Sequence, residues 1–323
     1  MTFSLASFTQ QLACPSLLGR VPGTPGHETA KEWILQQFES LRLSPFLEGG
    51  WIQTFTAHNG VEGSNLLAVR KGSSDRWLLI GAHYDHIRES PGADDNAAAV
   101  GIVLEVVHQL VETDTEANVL IAIFDMEEPP YFRTPSMGSV QFFELAKTII
   151  PIERLECAMI LDLCGHDVPI QGRESSLFIT NVNTRPDLAE LVQGTDHTGL
   201  QIYRFLNRPM FYLSDHYIFD INGIPNLFFT CARRSYYHQK EDTFERLNLE
   251  KMNHIASYLR RIVLKLDQEA VGDLQIPTFN AKDEAEELSR FIGRPVTPEE
   301  SEATILHLMH AMYLCPLDQR LDL

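Results

Sequence analysis

LLIGAHYDHIRESPGADDNAAAVG, residues 78–101, divides into three parts. Leu78, Leu79 and Ile80 form an apolar run of the kind that makes a buried strand. At its end, Gly81-Ala82-His83-Tyr84-Asp85-His86 sets an imidazole and a carboxylate two residues apart. After a polar loop, Gly92-Ala93-Asp94-Asp95-Asn96 leads into a run from Ala97 to Leu104 that reads as an apolar helix. A strand ending in His-x-Asp, followed by paired acids at a helix start, reads as half of a metal site.

Working outward, three more apolar runs end in ionisable residues. Asn118 to Phe124 (NVLIAIF) delivers Asp125-Met126-Glu127-Glu128, Cys157 to Leu161 (CAMIL) delivers Asp162, and Pro225 to Thr230 (PNLFFT) precedes a loop with His238 and Asp242. Between them lie helical spacings: Ala30, Trp33, Ile34, Phe38 and Leu41; then 97–111, 140–149 and 186–192; and Met252, Ile255, Leu259 and Ile262 on one face of 249–266. Leu177 to Thr180 reads as a further strand. Alternating strands and helices predict an α/β fold with a mostly parallel central sheet covered by helices on both faces. Residues 1–269 read as one domain. Residues 270–323, which begin with a linker-like segment around Pro277, read as a C-terminal helical appendage packed on it, with helices at 282–292 and from Thr297-Pro298 onward.

The 323 residues suffice for a large core, and 44% hydrophobic with 22% charged residues is ordinary for a globular chain. A formal net charge of -18 argues against nucleic-acid and anionic-membrane partners, which reward a basic face. Five cysteines without a CxxC pair suggest free thiols in a reducing compartment. No basic leading segment and no apolar run of the roughly 20 residues of a membrane span are present. The expectation is a cytoplasmic protein of undetermined oligomeric state.

In an open α/β sheet the carboxyl ends of the strands border the ligand crevice. His83, Asp85, Asp95, Glu127, Glu128, Asp162 and His238 should therefore converge, and such carboxylates repel unless cations sit among them. Imidazoles and carboxylates without thiolate suit a hydrolytic zinc pair. His86 and His216 read as structural histidines, Cys164 as a small buried apolar residue, and Arg233 and Arg234 as a solvated loop.

GAHYDH, PGADDN, FDMEE, ILD, SDHYIF and YHQKEDT occur here in the order seen in di-zinc aminopeptidases, a family grouped with glutamate carboxypeptidases and glutaminyl cyclases. The lead-in GRVPGTPGHETAKEWILQQFESL also resembles the family's opening helix, so the likeness spans roughly 19–267. The resemblance implies two Zn2+ per chain: His83, Asp95 and Asp162 on one, and Asp95, Glu128 and His238 on the other, with Asp95 bridging. It also implies a cis peptide from Asp95 to Asn96. Glu127 would be the general base for a zinc-bridging hydroxide, and Asp85 would orient His83. The implied substrate is a peptide or small-molecule amide cut at its N-terminal residue.

Nine residues, Pro129 to Met137, separate Glu-Glu from Gly138-Ser139, longer than in compact members of the family. This loop, with Phe132 and Arg133, and Tyr237 beside His238 are the candidate substrate-binding residues. A long loop after FDxEE also resembles glutaminyl cyclases, which use one zinc. Against the cyclase, 129–137 has no tryptophan, Ser214-Asp215-His216 stands for Asp-Asp-His, and Tyr237 stands where a cyclase has Trp.

Overall fold

The computed structural model describes residues 3–268 and 278–322. The chain opens with α1 (Leu5–Leu12) and α2 (Pro25–Ser40), then the short β1 (Ser44–Pro45) and a hairpin of β2 (Ile52–Thr56) and β3 (Glu62–Arg70). The centre follows as β4 (Trp77–His83), α3 (Ala98–Leu110), β5 (Asn118–Phe124), α4 (Gly138–Ile149) and β6 (Leu155–Leu161). Then come β7 (Ser176–Thr180), α5 (Leu188–Gly194), β8 (Gln201–Arg204), α6 (His216–Ile221), β9 (Asn226–Thr230) and α7 (Leu249–Gln268). Beyond the undescribed stretch lie α8 (Ala281–Ile292) and α9 (Ser301–Leu314).

The sheet order is β1-β3-β5-β4-β6-β9-β7-β8, with β2 also on β3. The four apolar runs legible in the sequence are its parallel centre, β5-β4-β6-β9. Both flanks are antiparallel, β3 against β5 and β7 against β9. Neither β1 nor β8 was foreseen: one is two residues long, and QIYR carries no apolar run. The helix expected from Thr297 starts at Ser301, after a turn, and the expected boundary at 269/270, with Pro277, lies outside the described residues.

Alternation along the central strands explains how both faces are filled. Leu78, Ile80 and Ala82 of β4, with Val119, Ile121 and Ile123 of β5, join the core under α1, α2, α3 and α7. Leu79, Leu120, Ala122 and Phe124 turn the other way, onto α4 and α6. A sheet buried on both faces has no polar position until its strands end. Parallel register makes those ends level: His83 pairs with Phe124, and Leu161 with Phe229. All the chemistry therefore emerges at one edge of the sheet.

At the other flank α8 packs on β8. The ring of Phe291 lies 4.8 Å from Tyr203 and 5.3 Å from Phe178, and Arg204 pairs with Glu287 at 2.5 Å. Among the described residues no helix is long and apolar enough to cross a membrane.

Gly138, at the start of α4, donates its amide to the Asp125 carbonyl at 2.9 Å, and a Cβ there would lie 2.0 Å from that oxygen. The next atom, Asn65 Oδ1 at 2.4 Å, is itself held in place by the Asp125 amide. Gly138→Ala should cost about 1–3 kcal/mol of stability, read as a lower urea midpoint at unchanged slope. An unchanged midpoint would refute the close approach.

Candidate metal centre

The strand ends assemble two groups of donor atoms. In the first, His83 Nε2 lies 3.4 Å from Asp95 Oδ1, 3.6 Å from Asp162 Oδ1 and 3.9 Å from Glu127 Oε2. In the second, His238 Nε2 lies 3.2 Å from Asp95 Oδ2 and 3.0 Å from Glu128 Oε2. Asp95 turns one oxygen to each group. The structure therefore brings His83, Asp95, Glu127, Glu128, Asp162 and His238 together.

It also adds a residue that the sequence reading set aside. His86 Nδ1 is 2.9 Å from Glu128 Oε1 and 3.9 Å from Asp95 Oδ2, inside the second group. That group thus has two imidazoles and two carboxylates whose donor atoms all lie within 4.8 Å of one another. Strand alternation gave no signal for His86, because β4 ends at His83 and the chain has turned by residue 86.

The donor set fits divalent metal ions. Every donor residue except half-buried His238 is buried, yet His83 Nε2 and Asp162 Oδ1 have no hydrogen-bond partner among the described residues. Burial pushes the Glu127 carboxyl well above its ordinary range, against the pull of His83 and reinforced by Glu128 and Asp162. Burial likewise raises Asp162. Desolvation opposes a charge on His238, but the Asp95 and Glu128 carboxylates, which accept from its ring, lift its pKa to about 10. Protons held this way on imidazoles stand where cations would bind, and nitrogen and oxygen donors without thiolate are zinc-compatible.

Other residues aim these side chains. The Asp85 carboxylate accepts the amides of Glu127 and Glu128 at 3.0 and 3.1 Å, which fixes the acidic pair. Its closer contact with His83 is through the backbone: His83 Nδ1 is 3.2 Å from the Asp85 carbonyl, and the carboxylate is at 3.5 Å. A carbonyl only accepts, so Nδ1 carries a proton, which leaves Nε2 as the atom that faces the group. The expected orienting role of Asp85 is thus divided between its carbonyl, for His83, and its carboxylate, for the glutamates.

Asp242 accepts the amides of Asp94 and Asp95 at 2.8 and 3.1 Å. Asp94 turns away to the Gly165 amide and His166, leaving Asp95 to face the donors. The peptide from Asp95 to Asn96 is cis, as the resemblance implied. Gly92 (φ +60°) precedes this turn, and a side chain there would meet the His86 ring at 2.5 Å. Beneath lies Arg20, fully buried, donating to the carbonyls of Tyr84, Leu12, Pro91 and Gly92 at 2.6–3.0 Å. Burial lowers its pKa to about 10, so it stays charged at neutral pH.

Arg233 and Arg234 depart from the roles expected of them, whereas His216 and Cys164 keep theirs. Arg234 is buried and donates to the carbonyls of Asp167 and Leu317, and Arg233 is half-buried over the Tyr237 ring at 4.4 Å, so neither is a solvated loop residue. Tyr237 stacks on His238 with ring centroids 3.8 Å apart and lines a cavity of about 450 Å³ beside Asp162. Phe132 and Arg133 do not line that cavity, because Arg133 extends over Tyr212 and Tyr217 instead. His216 is structural, stacked on Phe228 at 4.1 Å and held neutral by burial with a pKa of about 3. Cys164 is buried, with burial pushing its thiol up.

Removing the Arg20 guanidinium would leave buried carbonyls without donors under the Asp95 loop. Arg20→Met should cost about 2–4 kcal/mol of stability and speed metal loss to a chelator in dialysis. Unchanged stability and metal retention would show that Arg20 does not brace the loop.

Residues 65–263 match the model of Peptidase family M28. An uncharacterised Escherichia coli protein, YfbL, is 29% identical over 227 residues, covering 59% of this chain and 67% of YfbL. A Zn-dependent exopeptidase from Parabacteroides distasonis superposes with a TM-score of 0.65 at 18% identity, covering 81% of this chain and 97% of that one. A glutaminyl cyclase from Fimbriiglobus ruber gives 0.66 at 21% identity, covering 82% and 96%. The fold is that of these proteins, and with well over half its length matched, the chain belongs to Peptidase family M28.

Proposed function

We propose that the chain is a metal-dependent aminopeptidase that hydrolyses the N-terminal residue of peptides. The observation that carries this reading is the pair of donor groups sharing Asp95, each with its own imidazole, with Glu127 reaching into one of them. His83, Asp95 and Asp162 would hold one zinc ion, and Asp95, Glu128, His238 and His86 the other. When bound, such a pair supplies Lewis acidity that polarises the scissile carbonyl and acidifies water.

Glu127 takes the proton from the attacking water and delivers it to the departing amine. A carboxyl whose hold on a proton burial strengthens is suited to both. Asp85 is a positioning residue, fixing the backbone that carries Glu127 and Glu128. Tyr237, on the cavity lining, contacts the substrate. The carboxylates around the site attract the free amine of a peptide N-terminus.

A second reading, a glutaminyl-peptide cyclase with a single zinc, draws on the long loop Pro129 to Met137 and on the likeness to the Fimbriiglobus ruber cyclase. A peptide beginning with Gln separates the two: hydrolysis releases the first residue, whereas cyclisation releases ammonia and leaves the peptide bonds intact.

Glu127→Gln should lower kcat about 10²–10⁴-fold on aminoacyl-nitroanilides while elemental analysis still finds the wild-type metal content. Near wild-type turnover at full metal content would remove Glu127 from the mechanism. His86→Ala should weaken retention of one of two metal equivalents about 10–100-fold in chelator titrations, leaving the other unaffected. Loss of neither equivalent would confine His86 to a structural role.

A further inference from the structure

The cavity beside Asp162, which α9 walls through Ile305 and Leu308, has a polar counterpart. A second cavity, of about 650 Å³, lies between residues 166–167, the segment 234–249 and the tail segment 317–320. Its volume falls within the roughly 300–1,000 Å³ of small-ligand sites. The two cavities share no lining residue: Arg233 lines the first and Arg234 the second. His166, on the second lining, donates from Nδ1 to Asp94 Oδ2 at 2.6 Å. Its Nε2 is buried and has no hydrogen-bond partner among the described residues.

The charges of this second lining are unevenly satisfied. Arg320 pairs with Glu174 and, at 3.7 Å, with Asp167. Arg234 and Arg246 form no ion pair among the described residues, yet both guanidinium groups lie over the Tyr236 ring, at 5.8 and 5.6 Å. Arg234 is only 8% exposed, reaches no acceptor but the carbonyls of Asp167 and Leu317, and leaves Nε without a partner. Arg246 is half-buried and spends Nε on the Glu241 carbonyl at 2.8 Å. Two like charges gathered at one ring, one of them buried, call for an anion that the described residues do not supply. Glu245 and Asp318 line the same cavity, are exposed, and form no ion pair among the described residues either. Free positive charge is therefore sheltered, and free negative charge stands in solvent.

We propose that this cavity is a binding site for a small zwitterion of the amino-acid type, with its carboxylate on Arg234 and Arg246 and its ammonium toward Glu245 and Asp318. A guanidinium fork matches a carboxylate through charge-assisted hydrogen bonds, and a buried one without a counterion gains most from it. A doubly charged anion such as phosphate meets the same arginines but is repelled by the two exposed carboxylates. A simple amine finds those carboxylates and leaves the arginines unpaired. The site draws on the tail, whose Leu317 carbonyl holds Arg234. It uses neither the metal donors nor the peptidase reading.

The test is titration calorimetry of the full-length protein, as purified, with alanine, N-acetylalanine and inorganic phosphate. Alanine should bind saturably, about two- to fivefold more tightly than N-acetylalanine, which lacks the ammonium. Arg246→Met, at a half-buried residue outside the donor groups, should weaken alanine binding at least about tenfold at unchanged metal content. No binding of alanine overturns the proposal. So does binding that Arg246→Met leaves unchanged, which would belong to the metal centre. Phosphate that binds more tightly than alanine and is lost in the same variant also overturns it, by making the site one for a doubly charged anion. Should Arg246→Met fail to fold, the double variant Glu245→Gln with Asp318→Asn decides, since both residues are exposed. It should abolish the preference for alanine over N-acetylalanine, and a preference that survives overturns the proposal.

Discussion

Asp85, Asp95, Glu127, Glu128, Asp162 and Asp215 are all buried around one edge of the sheet, and so much negative charge out of water is unstable without compensation. The protein answers in two ways. Some carboxylates are consumed by backbone amides, as Asp85 is by Glu127 and Glu128 and Asp242 is by Asp94 and Asp95. The others share three imidazoles and leave donor atoms facing a common space, which is a demand for cations. Asp215, whose carboxyl burial pushes up to about 7, belongs to neither set.

The same constraint shapes the layers below. The strands must be apolar on both faces to be buried, so ionisable residues can appear only where they stop. Level parallel register then stops β4, β5 and β6 at the same height. What remains is to aim the side chains, and that falls to the loops, each braced by a buried polar group: Asp242 for the Asp94-Asp95 turn, Arg20 for the segment from Tyr84 to Gly92, and His27 for Asp125 at 2.9 Å.

The parts of this arrangement that follow from period and composition were legible in the sequence. The four central strands are apolar runs, and the residues at their ends are the donors the structure gathers. The ordered motifs pointed to one family, and the match over 65–263 agrees. Less legible were features fixed by distant partners. His86 lies past the strand end, where alternation stops, and joins the donors only because Glu128, far along the chain, folds beside it. Arg20 sits in a turn-rich segment whose sequence does not announce carbonyls converging on it. The β8 strand lacks an apolar run because one of its neighbours is the charged face of α8, through Arg204 and Glu287. The length of their loop suggests Phe132 and Arg133 as pocket residues, and its course takes Arg133 over Tyr212 and Tyr217.

Arg20 and α9 come from opposite ends of the chain, and both lie outside residues 65–263, the stretch that the family model matches. One props the Asp95 loop from behind; the other closes the cavity in front. Residues 65–263 therefore carry the reactive groups without being a self-sufficient unit, and excising them would leave the loop unbraced and the cavity open. The division also separates two evolutionary freedoms. The shared region is bound by the geometry of its donors, whereas α9 touches none of them. Changes in its sequence could reshape the cavity without moving the donor atoms at the strand ends.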